Sequence, residues 1–136
     1  MSVPISGLYA GLLALLLIAL AGRVSLLRSK RGVGIGHGND PELARAIRVH
    51  GNALEWTLPM LVLLLVAELD GANRTFLHVC GVVFVLSRLA HAAGLSRTSK
   101  SSSARYWGTA GSWLVIALLA GWNILAFARI AFRLWR

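Results

Sequence analysis

Four long apolar stretches, separated by three polar connections, make up this sequence. The stretches cover about residues 3–22, 41–68, 75–95 and 104–128. A helix of about 20 mainly apolar residues crosses the roughly 30 Å hydrocarbon core of a bilayer. The pattern therefore predicts an all-α fold, an integral membrane four-helix bundle, in which a single domain accounts for residues 1–136.

The second stretch opens with a recognisable helix start. Asn39 and Asp40 are capping candidates, Pro41 suits the first helical position, and Glu42 lies in the first turn. The connection that follows this helix, residues 69–74, is so short that the third helix must run antiparallel to the second. Neighbouring helices are thus expected to run antiparallel.

The other connections are polar, and the fourth helix is rich in small residues. Residues 23–40 are basic and glycine-rich and are expected to form a flexible surface segment rather than a nucleotide loop, which would end in a GKS/T motif. Residues 96–103 form a second polar loop. Small side chains let helices approach closely in lipid, as expected here for Gly108, Ala110 and Gly111.

Composition and charge agree with a membrane protein. Hydrophobic residues make up 57% of the chain, charged residues only 14%, and the mean hydropathy is +0.68. The net charge of +9 comes from basic residues that border apolar stretches, where they meet membrane lipid headgroups, so no nucleic-acid partner is expected. The first and third connections hold six Lys and Arg against four on the opposite side, which favours a cytoplasmic position for these connections.

Cysteine and histidine usage predicts neither a disulfide nor a metal site. The single cysteine, Cys80, excludes an intramolecular disulfide and is interpreted as a small buried apolar residue. The four histidines lack a close-spaced pattern with cysteine or carboxylate, so no metal is predicted.

A polar stripe interrupts the first half of the second helix. Arg45, Arg48, Asn52 and Glu55 are spaced three, four and three residues apart, so they fall within an arc of about 80° on one helix face. An ionised side chain near the middle of the membrane costs at least about 2.5 kcal/mol against lipid. Glu55 is therefore expected to face protein or a water-filled cavity.

Further cationic residues lie at the ends of the neighbouring helices on the same side. Arg88 and His91 are three residues apart near the end of the third helix, and Arg105 begins the fourth. Together with the stripe they give more positive charge than Glu55 can neutralise, which suits a ligand with carboxylates. The alternative is a structural role, in which the arginines pair with Glu55 and otherwise reach towards headgroups.

The run RAIRVHGNALE, residues 45–55, together with SRLAH, residues 87–91, resembles the signature of the MAPEG family, membrane-associated proteins in eicosanoid and glutathione metabolism. The chain is most similar to the small bacterial members. The resemblance implies a homotrimer in the bacterial inner membrane, with glutathione bound between neighbouring subunits near the cytoplasmic side. The residues that it places in the glutathione site are Arg45, Arg48, Asn52, Glu55, Arg88 and His91.

The resemblance also implies an activity. Arg105 matches the position whose guanidinium stabilises the glutathione thiolate, so the chain is expected to use glutathione as a co-substrate in a transferase or peroxidase reaction on a small lipophilic substrate. Two positions depart from the family pattern, because Leu95 stands where family enzymes often have tyrosine and Tyr106 where some have serine. These departures keep an alternative open, a non-catalytic membrane protein that binds a lipid headgroup or another anionic metabolite.

Overall fold

The computed structural model describes residues 2–98 and 102–134, and this part of the chain forms four α-helices. Each helix is long and apolar enough to cross a membrane. The predicted all-α, four-helix membrane bundle is therefore confirmed. Residues 99–101 of the predicted third connection lie outside the described residues. The helices are α1 (Pro4–Arg31), α2 (Pro41–Leu69), α3 (Arg74–Arg97) and α4 (Ser103–Leu134).

The first helix is longer than its apolar stretch. We predicted a loop from residue 23, and this was wrong for residues 23–31, which continue α1 to Arg31. Basic residues in the last turn interact favourably with the carbonyl end of a helix, so they extend α1 rather than end it. Gly32 ends the helix in the left-handed conformation, with φ +65°, and its N–H bonds to the Ser29 carbonyl at 3.4 Å.

Asp40 fixes the start of α2, as the sequence predicted. Its carboxylate accepts hydrogen bonds from the N–H groups of Leu43, at 3.0 Å, and Glu42, at 2.8 Å. The guanidinium of Arg31 lies 2.7 Å away and ties the end of α1 to the start of α2. The bond from Leu43, followed by those from Glu42 and Arg31, outweighs partial desolvation and holds the pKa of the Asp40 carboxyl below its ordinary value of 3.8.

An apolar core fills one half of the bundle. It joins the start of α1 to the second half of α2, the first half of α3 and the middle of α4. The polar residues of α2 lie in its other half, so the fold separates an apolar half from a polar half. The largest side chains of this core are Tyr9, Leu13, Met60, Leu64, Leu77, Phe84, Val115 and Leu119.

Polar contacts hold the weakly buried α1 in place. The carboxylate of Glu68, at the end of α2, accepts the N–H groups of Ile5 at 3.0 Å and Ser6 at 2.7 Å. Helix starts leave such groups unpaired, and a carboxylate is a favourable partner for them. The buried Tyr9 hydroxyl donates to the backbone carbonyl of His78 on α3 at 3.0 Å. No pattern in the sequence pointed to this role of Glu68.

Glycines allow α3 and α4 to pack closely. A Cβ atom added to Gly108 would lie 2.6 Å from the Ser87 carbonyl oxygen and 2.8 Å from the backbone nitrogen of His91. A Cβ atom added to Gly111 would overlap the Ser87 side chain. The expectation that small residues bring the fourth helix close to a neighbour is confirmed at these two positions.

Candidate functional site

Arg88 is the centre of the polar half of the bundle. It is only 2% exposed, and its guanidinium donates to the side-chain oxygen of Asn52 at 3.1 Å and to the backbone carbonyl of Gly108 at 3.0 Å. The same carbonyl accepts the Ser112 hydroxyl at 2.7 Å. Burying an arginine is unfavourable unless its donors are hydrogen-bonded. Here Nη1 and Nη2 are bonded, whereas Nε has no hydrogen-bond partner among the described residues. Arg88 therefore links α2, α3 and α4 at one point.

Arg48 and Glu55 form an ion pair on the outer side of α2. The guanidinium nitrogen Nη1 of Arg48 lies 3.2 Å from Oε1 of Glu55, and the two side chains are 64% and 53% exposed on the single chain. Glu55 is the middle residue of the 29-residue helix. The predicted stripe is thus present, but on the single chain its charged end is not enclosed by protein.

His91 and Arg105 lie at the seam between α3 and α4. His91 is 8% exposed and packs against Gly108. Arg105 is partly buried, and a Cβ atom added to Gly94 of α3 would lie 3.0 Å from its Cγ atom. Arg48, Arg88 and Arg105 are all near enough to His91 to interact with it electrostatically. The fold therefore gathers residues from three helices into one cationic region.

Arg45 lies on the same face of α2, two turns before Asn52. It is partly buried, and its Nε atom has no hydrogen-bond partner among the described residues. The structure brings Asn52 into direct contact with Arg88, and Arg48 into direct contact with Glu55. Nε of Arg45 is still able to donate a hydrogen bond to another partner. Burying a guanidinium N–H without an acceptor is unfavourable.

The polar residues of this region are together called the Arg88 cluster, which consists of Arg45, Arg48, Asn52, Glu55, Arg88, His91 and Arg105. The cluster has the chemistry of an anion site with one acidic member. Its guanidinium groups can bind carboxylates in the planar, two-bond geometry that arginine favours, and Glu55 can accept an ammonium group. Within the described residues, no group of three or more His, Cys, Asp or Glu side chains could hold a metal ion.

One part of the site had no signal in the sequence. The carbonyl of Gly108 holds Arg88, and a backbone acceptor leaves no side-chain pattern to recognise. Only the glycine itself, in a run of small residues near the start of α4, indicated that two backbones meet there.

Known proteins resemble this chain over most of its length. A sequence model of the MAPEG family matches residues 6–125, which include every residue of the cluster. Two curated relatives are 40% identical over 107 residues, covering 76% of this chain and 82% of the relative. Both are named inner membrane protein YecN, one from Escherichia coli strain K12 and one from Escherichia coli O6:H1 strain CFT073. The chain belongs to the MAPEG family.

Proposed function

We propose that this protein binds glutathione in the bacterial inner membrane and uses its thiolate on a small lipophilic electrophile or peroxide. The observation that carries the proposal is the exposed ion pair of Arg48 and Glu55 beside the buried Arg88. The name of the curated relatives supports the inner membrane location. The family includes glutathione-dependent enzymes, which supports the choice of ligand.

The position of the ion pair supports a site between subunits. Glu55 is the middle residue of a helix long enough to span the membrane, and half of its side chain is uncovered on one chain. Hydrocarbon is an unfavourable neighbour for both charges. A second copy of the chain would cover them and enclose a polar cavity, and the resemblance to the family suggests three copies in a ring.

Glutathione matches the charges of the cluster. The tripeptide has two carboxylates, which guanidinium groups bind well, and one ammonium group, which Glu55 can accept. The Arg88 side chain is already held by Asn52 and Gly108, so less rotamer entropy is lost when it binds an anion. Arg45 offers a further N–H donor that lacks an acceptor.

Arg105 is the proposed catalytic residue. A guanidinium near the cysteine sulfur of glutathione favours the thiolate, and the thiol proton leaves to solvent. In conjugation, the sulfur attacks an electrophilic carbon, a C–S bond forms, and the leaving group departs with its bonding electrons. In peroxide reduction, two glutathione molecules are oxidised to the disulfide while the peroxide is reduced to an alcohol and water.

Calorimetry on the full chain, purified in detergent, tests the binding step. We expect reduced glutathione to bind, and we expect Glu55→Gln to weaken binding about tenfold because a charge-assisted contact with the ligand amine is lost. N-acetylglutathione, which has no ammonium group, should bind the unmodified protein and Glu55→Gln equally weakly. The control is Glu42→Gln, an acid at the start of the same helix whose carboxylate pairs with Arg31. Absence of binding by a folded oligomer would overturn the proposal.

Turnover tests the catalytic step. With 1-chloro-2,4-dinitrobenzene and with a lipid hydroperoxide, the unmodified protein should consume glutathione. Arg105→Ala should lose most of the rate while retaining glutathione binding, since the guanidinium acts on the sulfur. Equal rates for the two proteins would remove Arg105 from the mechanism.

A second candidate function rests on Leu95. This residue is 7% exposed and packs with Val49 and Ala92, so an apolar contact occupies the position where many family enzymes have a tyrosine hydroxyl. The same cationic cluster would then hold a lipid headgroup or another anionic metabolite without catalysis. Binding of glutathione or of a phospholipid with no turnover of either acceptor would favour this function.

A further inference from the structure

A small pocket lies at the opposite end of the bundle from the Arg88 cluster. It has a volume of about 160 Å³ and lies between the turn that follows α2 and the last part of α4. The Arg88 cluster belongs instead to the first half of α2 and the start of α4. The pocket is lined by Asp70, Trp122, Ala126, Arg129 and Ile130.

The pocket has one acid and one base that do not pair with each other. Asp70 is exposed in the turn directly after α2, and Arg129 is exposed on α4. The Arg129 guanidinium is held 5.7 Å from the centre of the Trp122 ring, within the range of a cation–π contact. Within the described part of the chain, neither side chain forms an ion pair within 4.0 Å. The two opposite charges are therefore available on the walls of the same pocket.

The pocket lies where a membrane-spanning helix ends. The α2 span ends at Leu69, one residue before Asp70. Tryptophan is enriched at the level of lipid headgroups, and Trp122 contributes to the wall of this pocket. Ala126 and Ile130 add an apolar wall on α4. The surroundings are those of a lipid at the membrane surface.

We propose that this pocket binds the headgroup of an ethanolamine phospholipid. The phosphate lies against Arg129, the primary ammonium donates to Asp70, and the upper acyl chain follows Ala126 and Ile130. Guanidinium and phosphate form strong paired hydrogen bonds, and a carboxylate accepts the N–H donors of an ammonium group. A choline headgroup has no N–H to donate, and the headgroup of phosphatidylglycerol has no cation for Asp70.

Native mass spectrometry of the full chain in detergent tests this proposal with an equimolar mixture of dioleoyl phosphatidylethanolamine and dioleoyl phosphatidylcholine. We expect the unmodified protein to retain the ethanolamine lipid about tenfold more than the choline lipid, the effect of one charge-assisted hydrogen bond. Asp70→Asn should abolish this preference, and Asp70→Glu, which keeps the carboxylate, should preserve it. Arg129→Gln should lower retention of both lipids about tenfold.

The matched control is Arg97→Gln, which removes an exposed arginine at the end of α3, on the side of the Arg88 cluster. It should behave as the unmodified protein. Because Asp70 and Arg129 are both exposed, their substitution leaves the core unchanged, and circular dichroism will verify the fold. Equal retention of the two lipids by the unmodified protein would overturn the proposal, as would an undiminished preference in Asp70→Asn.

Discussion

The close approach of α3 and α4 at Gly108 can be tested by one added methyl group. In Gly108→Ala, the new Cβ atom would lie 2.6 Å from the Ser87 carbonyl oxygen, about 0.8 Å short of the 3.4 Å at which ordinary contacts begin. A second clash, at 2.8 Å, involves the backbone nitrogen of His91. Both neighbours are backbone atoms, so the helices must move apart because no side chain can rotate away.

The magnitude follows from two opposing effects. Overpacking of a well-packed core costs about 1–3 kcal/mol. Because the neighbours of the new Cβ atom are rigid backbone atoms, we expect a cost at the upper end of this range, about 3 kcal/mol. Alanine has a higher helix propensity than glycine, which offsets about 1 kcal/mol. We therefore expect Gly108→Ala to lower the free energy of unfolding by about 2 kcal/mol. The displaced Gly108 carbonyl would also weaken its 3.0 Å hydrogen bond with Arg88.

Reversible unfolding in mixed detergent micelles, followed by tryptophan fluorescence, measures this change. The matched control is Gly121→Ala in the same helix, where an added Cβ atom meets nothing within 4 Å. This control has the higher helix propensity of alanine without the clash, so it should be more stable than the unmodified protein by about 1 kcal/mol. If Gly108→Ala were as stable as Gly121→Ala, the proposed contact between the two helices would be wrong.

Three further predictions concern the contacts that hold α1. Glu68→Gln should lower the free energy of unfolding by about 1–3 kcal/mol in the same assay, because the start of α1 loses a charged acceptor; an unchanged value would contradict the pairing seen at 3.0 and 2.7 Å. Tyr9→Phe should cost about 0.5–1.5 kcal/mol, the contribution of its hydroxyl bond to His78, while leaving the ring packing intact; a larger loss would point to a different role for the hydroxyl. Asp40 has a lowered pKa in the folded protein, so its stabilising effect is complete above pH 3.8 and disappears as the pH falls through the folded value. Thermal unfolding between pH 2 and 7 should therefore show Asp40→Asn less stable than the unmodified protein at neutral pH, with the gap closing below about pH 3.8; a gap of constant size would show that charge plays no part.

The polar face of α2 was visible in the sequence because helical spacing is local. The spacing of Arg48, Asn52 and Glu55 put them on one face of α2, and they are on one face in the structure, where Arg48 contacts Glu55. The roles of these residues towards glutathione stay predictions. The sequence could not show that Asn52 binds Arg88, 36 positions away, because this contact depends on the rotation and depth of two separate helices.

The end of α1 shows where sequence patterns mislead. Hydropathy falls after residue 22, and the basic residues that follow suggested a loop, although α1 continues to Arg31. Arginine, lysine and leucine are all compatible with a helix, so the loss of hydropathy marked the edge of the apolar span and not the end of the helix. The end itself is marked by Gly32.

The sequence alone determined the four membrane-spanning helices, the cap of α2 and the polar face of that helix. These features depend on neighbouring residues, through the transfer of about 20 apolar side chains into lipid and through hydrogen bonds a few residues apart. Only the tertiary structure decided that Glu68 holds the start of α1, 62 and 63 positions away, and that Gly108 supplies an acceptor for Arg88. Such pairings follow from how the helices pack, because residues distant in sequence meet only once the helix axes, rotations and depths are fixed together.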